Sequence, residues 1–378
     1  MQLINYTPFP AITWEVLAPD GCAQGVLLVR GCFELSAGNA GSHLALHPAA
    51  EQGAWFGEDR FFGQSGQSGQ SGQSAVRYES DFVPSKPRTD LILNAVTYSP
   101  DGSPQPRWQC GVGVASREGK ALFHKRLQVT GKRFWQRTGI LWKRWQLSEP
   151  GECIQVPIRY ELAFGGGLRE PAGPDGTPGH WIVFCDQNPI GIGLLHDKQP
   201  ADLVPAPRIE DPRQPITDPH ATYPPQGFGF IHRAWQPRLA LAGTFDATWL
   251  ANKHPLLPDD FDNAHHNGAH PDLIGAGLAR GHLKGNETLR LEHLLPGQPI
   301  CHLRLPGYHL LARLRLPADV AAYQRLKLDT ILIDIDAPDQ AQWRVYLSWR
   351  VRYPLNPAPD AIEPMLIKDN QPQGTSNG

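Results

Sequence analysis

"QWRVYLSWRVRYPL" (Gln342–Leu355) decides the fold. Trp343, Val345, Leu347, Trp349 and Val351 alternate with Arg344, Tyr346, Ser348, Arg350 and Arg352. A period of two sends one set to each face of an extended chain, so the spacing predicts a strand with a buried and a wet face. Working outward, "KLDTILIDID" (Lys327–Asp336) and "PICHLRLPGYHLLARLRL" (Pro299–Leu316) have the same strand-like character. Upstream, "GVLLVRGCFEL" (Gly25–Leu35) follows the turn "APDG" and reads as part of a hairpin. "DLILNAVTY" (Asp90–Tyr98), "WQCGVGVAS" (Trp108–Ser116), "KALFHKRLQVTG" (Lys120–Gly131) and "KRFWQR" (Lys132–Arg137) are separated by turn residues every ten or so positions. "VPIRYELAFGGG" (Val156–Gly167) reads as a further strand ending in glycines.

The chain of 378 residues, with 38 Gly and 37 Pro, favours short strands and turns over long helices. The expected fold is mainly β: two packed, sandwich-like β-rich halves, residues 1–150 and 151–355, with long loops and a few short helices. "GQSGQSGQSGQS" (Gly63–Ser74) has nothing to bury and reads as a flexible loop. Residues 169–226 carry twelve prolines and read as loops wrapping a scaffold. One helix is expected near residues 245–252, with Thr244 as N-cap, Asp246 in the first turn and Pro255 as its stop. Phe245 and Trp249 are expected on its buried face. Residues 356–378 are polar and expected to be disordered.

A formal net charge of −2 gives no bulk attraction to nucleic acid or anionic membrane. No stretch is long and apolar enough for a membrane span, and the start lacks the pattern of a secretory signal. With six scattered cysteines and no C-x-x-C pair, reduced thiols and a cytoplasmic protein are expected.

Chemistry has three candidate sources. Asp246, Asp260 and Asp262 sit close to Arg233 and Arg238, and such groups can serve as general acids and bases. Carboxylates beside glycine and proline turns more often cap backbone N–H groups. His265, His266 and His270 lie among aspartates in "DDFDNAHHNGAHPD" and have ligand chemistry, but a solvated loop is the better reading. No nucleophile elbow, zinc helix or phosphate loop occurs, so no cofactor, metal or catalytic residue is assigned. The rival to that reading is a hydrolase or carbohydrate-active enzyme using Asp246, Asp260 or Asp262, with a metal at the histidines.

The ordered blocks "YESDFVPSKPRTDLILN", "PIRYELAFGG", "NPIGIG", "PRIEDPRQPI", "GFGFIHRAWQPRLALAGTFDATWLANKHPLLPDDFD" and "KLDTILIDID" resemble the bacterial family DUF2169 from about Ile4 to Pro354. Its pattern falls here on Arg159, Tyr160, Glu161, Gly165 and Gly166, then Asn188, Pro189 and Gly191. It continues at Asp246, Trp249, Asp260 and Asp262. The resemblance implies a cytoplasmic, non-enzymatic adaptor or chaperone for type VI secretion. Its partners would be a toxic effector and the VgrG spike or PAAR tip protein. Aromatic and arginine side chains tend to anchor protein interfaces, which makes Arg233, Trp235 and Arg238 the expected partner-binding residues.

Overall fold

A computed structural model describes residues 1–37, 43–63, 74–139, 143–173, 177, 179–275, 278, 281–318 and 320–368. The chain is mainly β, as its alternating segments require. The principal strands are β1 (Ala11–Leu17), β2 (Ala23–Ala37), β3 (His43–Pro48), β4 (Asp90–Tyr98), β5 (Arg107–Ala115) and β6 (Ala121–Thr130). They continue as β7 (Thr288–Leu295), β8 (Gln298–Arg304), β9 (Tyr308–Leu316), β10 (Val320–Arg325), β11 (Lys327–Ile335), β12 (Arg344–Pro354) and β13 (Ala361–Lys368).

Twelve strands form one sheet. Its order runs from Gln155–Pro157 through β4, β11, β12, β2, β3, β8, β7, β5 and β6 to Ile209–Glu210, with β1 added on β2. The sheet curls back on itself: the Thr97 hydroxyl of β4 donates to the His293 carbonyl of β7 at 2.8 Å, although the two strands are far apart in the sheet order. Strands from both sides of residue 150 alternate within it. β4 pairs in parallel with β11 from Asp90↔Thr330 to Ala95↔Ile335, and β2 pairs with β12 from Glu34↔Arg344 to Gln24↔Pro354. The two halves expected from the sequence therefore share one sheet, and residue 150 does not separate two sheets.

The strand that opened the reading shows why. Val345, Leu347 and Trp349 are buried as expected, but so are Ser348 and Arg350 on the face expected to be wet. That face is covered: an Arg350 Nη donates to the Asp81 carbonyl, and Tyr346 packs edge-on against Phe56 and Tyr78. Phe9 stacks on Trp349 and contacts Phe33 and Tyr308, tying β9 to the large sheet.

Two further expectations need correction. Residues 361–368 form β13, not disorder; the strand pairs with β9 from Arg315↔Ala361 to Tyr308↔Lys368, and Ile362 is fully buried. Pro357, Pro359 and Pro364 had obscured it. Residues 169–226 are loop-rich but carry a core of their own, in which Cys185, Ala206, Ile216 and Tyr223 gather with Trp135 and Phe164. The glycine-rich repeat lies almost wholly outside the described residues. At its base the Gly63 N–H donates to Ser74 Oγ at 3.0 Å. All six cysteines are free, and among the described residues no helix is long and apolar enough to cross a membrane.

Candidate functional site

The segment expected to be one strand over 156–167 is broken. It runs as Gln155–Pro157, a turn of 3-10 helix at Tyr160–Leu162, then the short strands Phe164–Gly165 and Gly167–Arg169. Close backbone approach explains the break. Gly166 has φ +78°, and a Cβ there would lie 2.3 Å from the Gly191 carbonyl oxygen. Only glycine is comfortable there. Asn188 is fully buried, and its amide donates to the Tyr160 and Phe164 carbonyls at 2.8 and 3.0 Å, pinning the segment before Pro189. Glu161 accepts the Ala75 N–H at 2.8 Å, while Arg159 lies 4.2 Å over the Phe62 ring and pairs with Asp336. Arg159, Tyr160, Glu161, Gly165, Gly166, Asn188 and Gly191 are thus joined in one knot of backbone support.

The segment from Gly227 to His270 is held in the same manner. The Asp246 carboxylate accepts the Trp249 N–H at 2.8 Å and caps a six-residue helix, Ala247–Asn252. Asp246, not Thr244, is the N-cap. Thr244 instead donates from its backbone and its hydroxyl to Asp260, at 2.9 and 2.7 Å. Asp262 accepts the Ala264 N–H at 2.8 Å and starts the turn Asn263–His266. All three candidate acids are occupied as backbone acceptors. The helix buries no residue: Phe245 and Leu250 are 55% and 63% exposed, and Trp249 is only half-buried. The expected buried face is absent because a helix of under two turns stands off the sheet, with Phe245 and Trp249 packing on each other at 4.7 Å.

Arg238 organises this segment. Its guanidinium grips Glu79 through two contacts, at 2.7 and 3.2 Å, and also donates to the Ile231 and His265 carbonyls at 2.8 and 2.7 Å. Both charges are buried. Burial alone would lift the Glu79 carboxyl, but Arg238, then Lys86 and Arg233, hold it below the usual carboxylate range. Trp235 is also inside, edge-on to Tyr160 at 5.8 Å. Of the three expected partner anchors, only Arg233 reaches solvent; it pairs with Asp59 at 2.8 Å and its side chain is 39% exposed. Trp235 and Arg238 belong to the interior because Tyr160 packs on the one while Glu79 and the Ile231 and His265 carbonyls close over the other.

The family model of DUF2169, an uncharacterized protein conserved in bacteria, matches residues 20–350. The chain belongs to DUF2169. No curated protein and no solved structure matches it.

In this DUF2169 chain the least legible residues are charged and buried. At the start of β4 the Asp90 carboxylate receives Lys86 Nζ and Asn267 Nδ2 at 2.8 Å, with the Gly268 and Ala269 N–H groups at 2.9 and 3.3 Å. Arg350 pairs with Asp329, both buried. The sequence reading missed Glu79, Lys86, Asp90, Asp329 and Arg350. A signal was present for three of them: "YESDFVPSKPRTDLILN" places Glu79, Lys86 and Asp90 just ahead of an unbroken apolar run.

The histidine segment is not a solvated loop, because Asn267, Gly268 and Ala269 are buried against Asp90. Burial, reinforced by His265, pushes the His266 imidazole down to about 3. Burial and the Lys125 ammonium push His270 down to about 4; its Nε2 lies 3.2 Å from Lys125 Nζ. Among the described residues no group of three or more His, Cys, Asp or Glu side chains is placed to hold a metal ion.

The titration has a sign. Below about pH 6.5 the unfolded chain protonates both histidines while the folded chain refuses the protons, so stability falls with pH. Glu79 acts in the same direction at lower pH, whereas Asp329, lifted by burial despite Arg350, opposes it. A loss on the order of 3 kcal/mol for each of the two histidines is expected between pH 7 and about 4, offset in part by Asp329. It is measured by urea unfolding, and His266→Gln should flatten the acid limb. An unchanged slope in that variant would remove His266 as a cause.

An apolar cleft of about 270 Å³ opens beside Arg238, lined by Pro87, Ile231, Pro237, Leu241, Ala269 and Ile274 among others. Leu239, Phe245 and Leu250 are exposed along the same segment.

Proposed function

We propose that this DUF2169 chain is a cytoplasmic adaptor or chaperone of type VI secretion. It binds a toxic effector and helps to load it onto the VgrG spike or PAAR tip protein. One observation carries the reading: the acids and arginines of the segment 227–270 are used to brace it, while it leaves the large apolar side chains of Leu239, Phe245 and Leu250 in solvent. Exposed apolar side chains on a rigid support suit a protein partner. A hydrolase would need Asp246, Asp260 or Asp262 free to exchange protons, and each instead accepts N–H groups that it would release only with loss of local structure.

Deleting the gene should abolish delivery of one neighbouring toxin while other type VI cargo continues to be secreted. Co-purification with the products of adjacent genes should recover that toxin. Unimpaired secretion of every neighbouring toxin would sink the adaptor reading. Substrate turnover that disappears on Asp246→Asn or Asp262→Asn would put the hydrolase in its place.

A further inference from the structure

A second cleft, about 690 Å³, meets the apolar one at Pro87 and opens where the ends of β10, β11 and β12 meet the loop at residues 84–87. Its walls carry Lys86, Arg325, Lys327, Arg350 and Arg352 against one carboxylate, Asp329. Asp90 neutralises Lys86 and Asp329 neutralises Arg350. Among the described residues, Arg325, Lys327 and Arg352 have no carboxylate partner, although an Arg325 Nη lies 2.6 Å from His309 Nδ1, in a chain whose formal net charge is −2. Arg350 is only 3% exposed, yet its Nε is buried without a hydrogen-bond partner, as are Gln24 Oε1 and Gln324 Oε1 on the same walls. The Arg350 Nε–H calls for an acceptor, whereas the two glutamine oxygens call for donors such as the backbone N–H groups of an incoming segment.

We propose that this cleft binds an acidic, extended segment of a partner protein. In the adaptor reading, on which this rests, the segment belongs to the effector. The cations are spread over three strands rather than gathered at one point, which matches a line of carboxylates better than a single small anion. One wall is β10, the last strand of a four-stranded sheet, and among the described residues no strand pairs with its outer edge. Val320 and Tyr323 along it are 54% and 60% exposed. Carboxylates over Arg325, Lys327 and Arg352 would supply specificity and steering, while edge pairing would supply backbone hydrogen bonds.

The test uses the full chain and a fluorescent peptide of alternating Glu and Ser, followed by anisotropy. Binding is expected, and it should weaken steeply between about 0.05 and 0.5 M salt. The same peptide with Gln for Glu should not bind. The triple variant Arg325→Glu, Lys327→Glu, Arg352→Glu should lose roughly tenfold or more in affinity. If it does not fold, Arg325→Gln, Lys327→Gln, Arg352→Gln provides the same comparison. No binding, equal binding by the folded variant, or tighter binding of inorganic phosphate or single-stranded DNA would overturn the proposal. Effector that co-purifies equally with wild type and variant overturns the cleft while leaving the adaptor. Peptide binding at the cleft with every neighbouring toxin still secreted by the deletion strain removes the adaptor and leaves the cleft.

Discussion

Arg238→Met should lower the unfolding free energy by about 3–5 kcal/mol, because removing one partner of a buried pair strands the other charge. Glu79 is the stranded charge: its carboxylate is 3% exposed and would keep only Arg233, at 3.5 Å. The Ile231 and His265 carbonyls would lose their donors as well. The double variant Arg238→Met, Glu79→Leu should recover part of the loss, since apolar groups of similar volume can replace a buried pair at little cost. Urea unfolding monitored by tryptophan fluorescence checks both. If the single variant unfolds at the wild-type midpoint, Arg238 does not brace this segment. The same geometry disqualifies Arg238 as a probe of partner contact, because any weakened co-purification would follow from lost structure. Leu239→Ser or Phe245→Ser probes the surface without that confusion, as both side chains are exposed.

What could be read from the sequence divides along a physical line. Alternation located β12, and apolar runs bounded by turn residues located β2, β4, β5, β6 and β11, each to within a few residues; β4 and β11 are buried almost throughout and so carry no period of two. Neither signal could show that residues 90–98 pair with 327–335, since pairing partners leave no local trace. Alternation also misjudged Ser348 and Arg350: a polar residue on the far face of a strand looks solvated until another layer covers it. The same blindness applied to Trp235 and Arg238, whose residue types suit an interface and a buried brace equally well. Turn chemistry was more transparent. Asp246, Asp260 and Asp262 cap backbone groups as carboxylates beside turns do, although the capping position was placed on Thr244.

The two tryptophans three and six residues into their elements, Trp249 and Trp349, should separate a surface brace from a core. Trp349 is 2% exposed, stacked on Phe9, and lies where β12 meets β2 through Val29. Trp349→Ala would open a void under both the large and the four-stranded sheets, and about 3–5 kcal/mol of stability should be lost. Trp249 was read from the sequence as the comparable core anchor. Its indole is half-buried, held by a hydrogen bond from Nε1 to the Leu256 carbonyl at 2.9 Å and by contact with the exposed Phe245 ring. Truncating it removes one hydrogen bond and partial burial, so Trp249→Ala should cost about 1–2 kcal/mol. The measurement is the difference in urea midpoint between the two variants at one pH, with the unfolding slope held constant. Equal losses would mean that the helix Ala247–Asn252 is packed as tightly as the sheet. In that event Leu250 and Phe245 would no longer count as a surface offered to a partner.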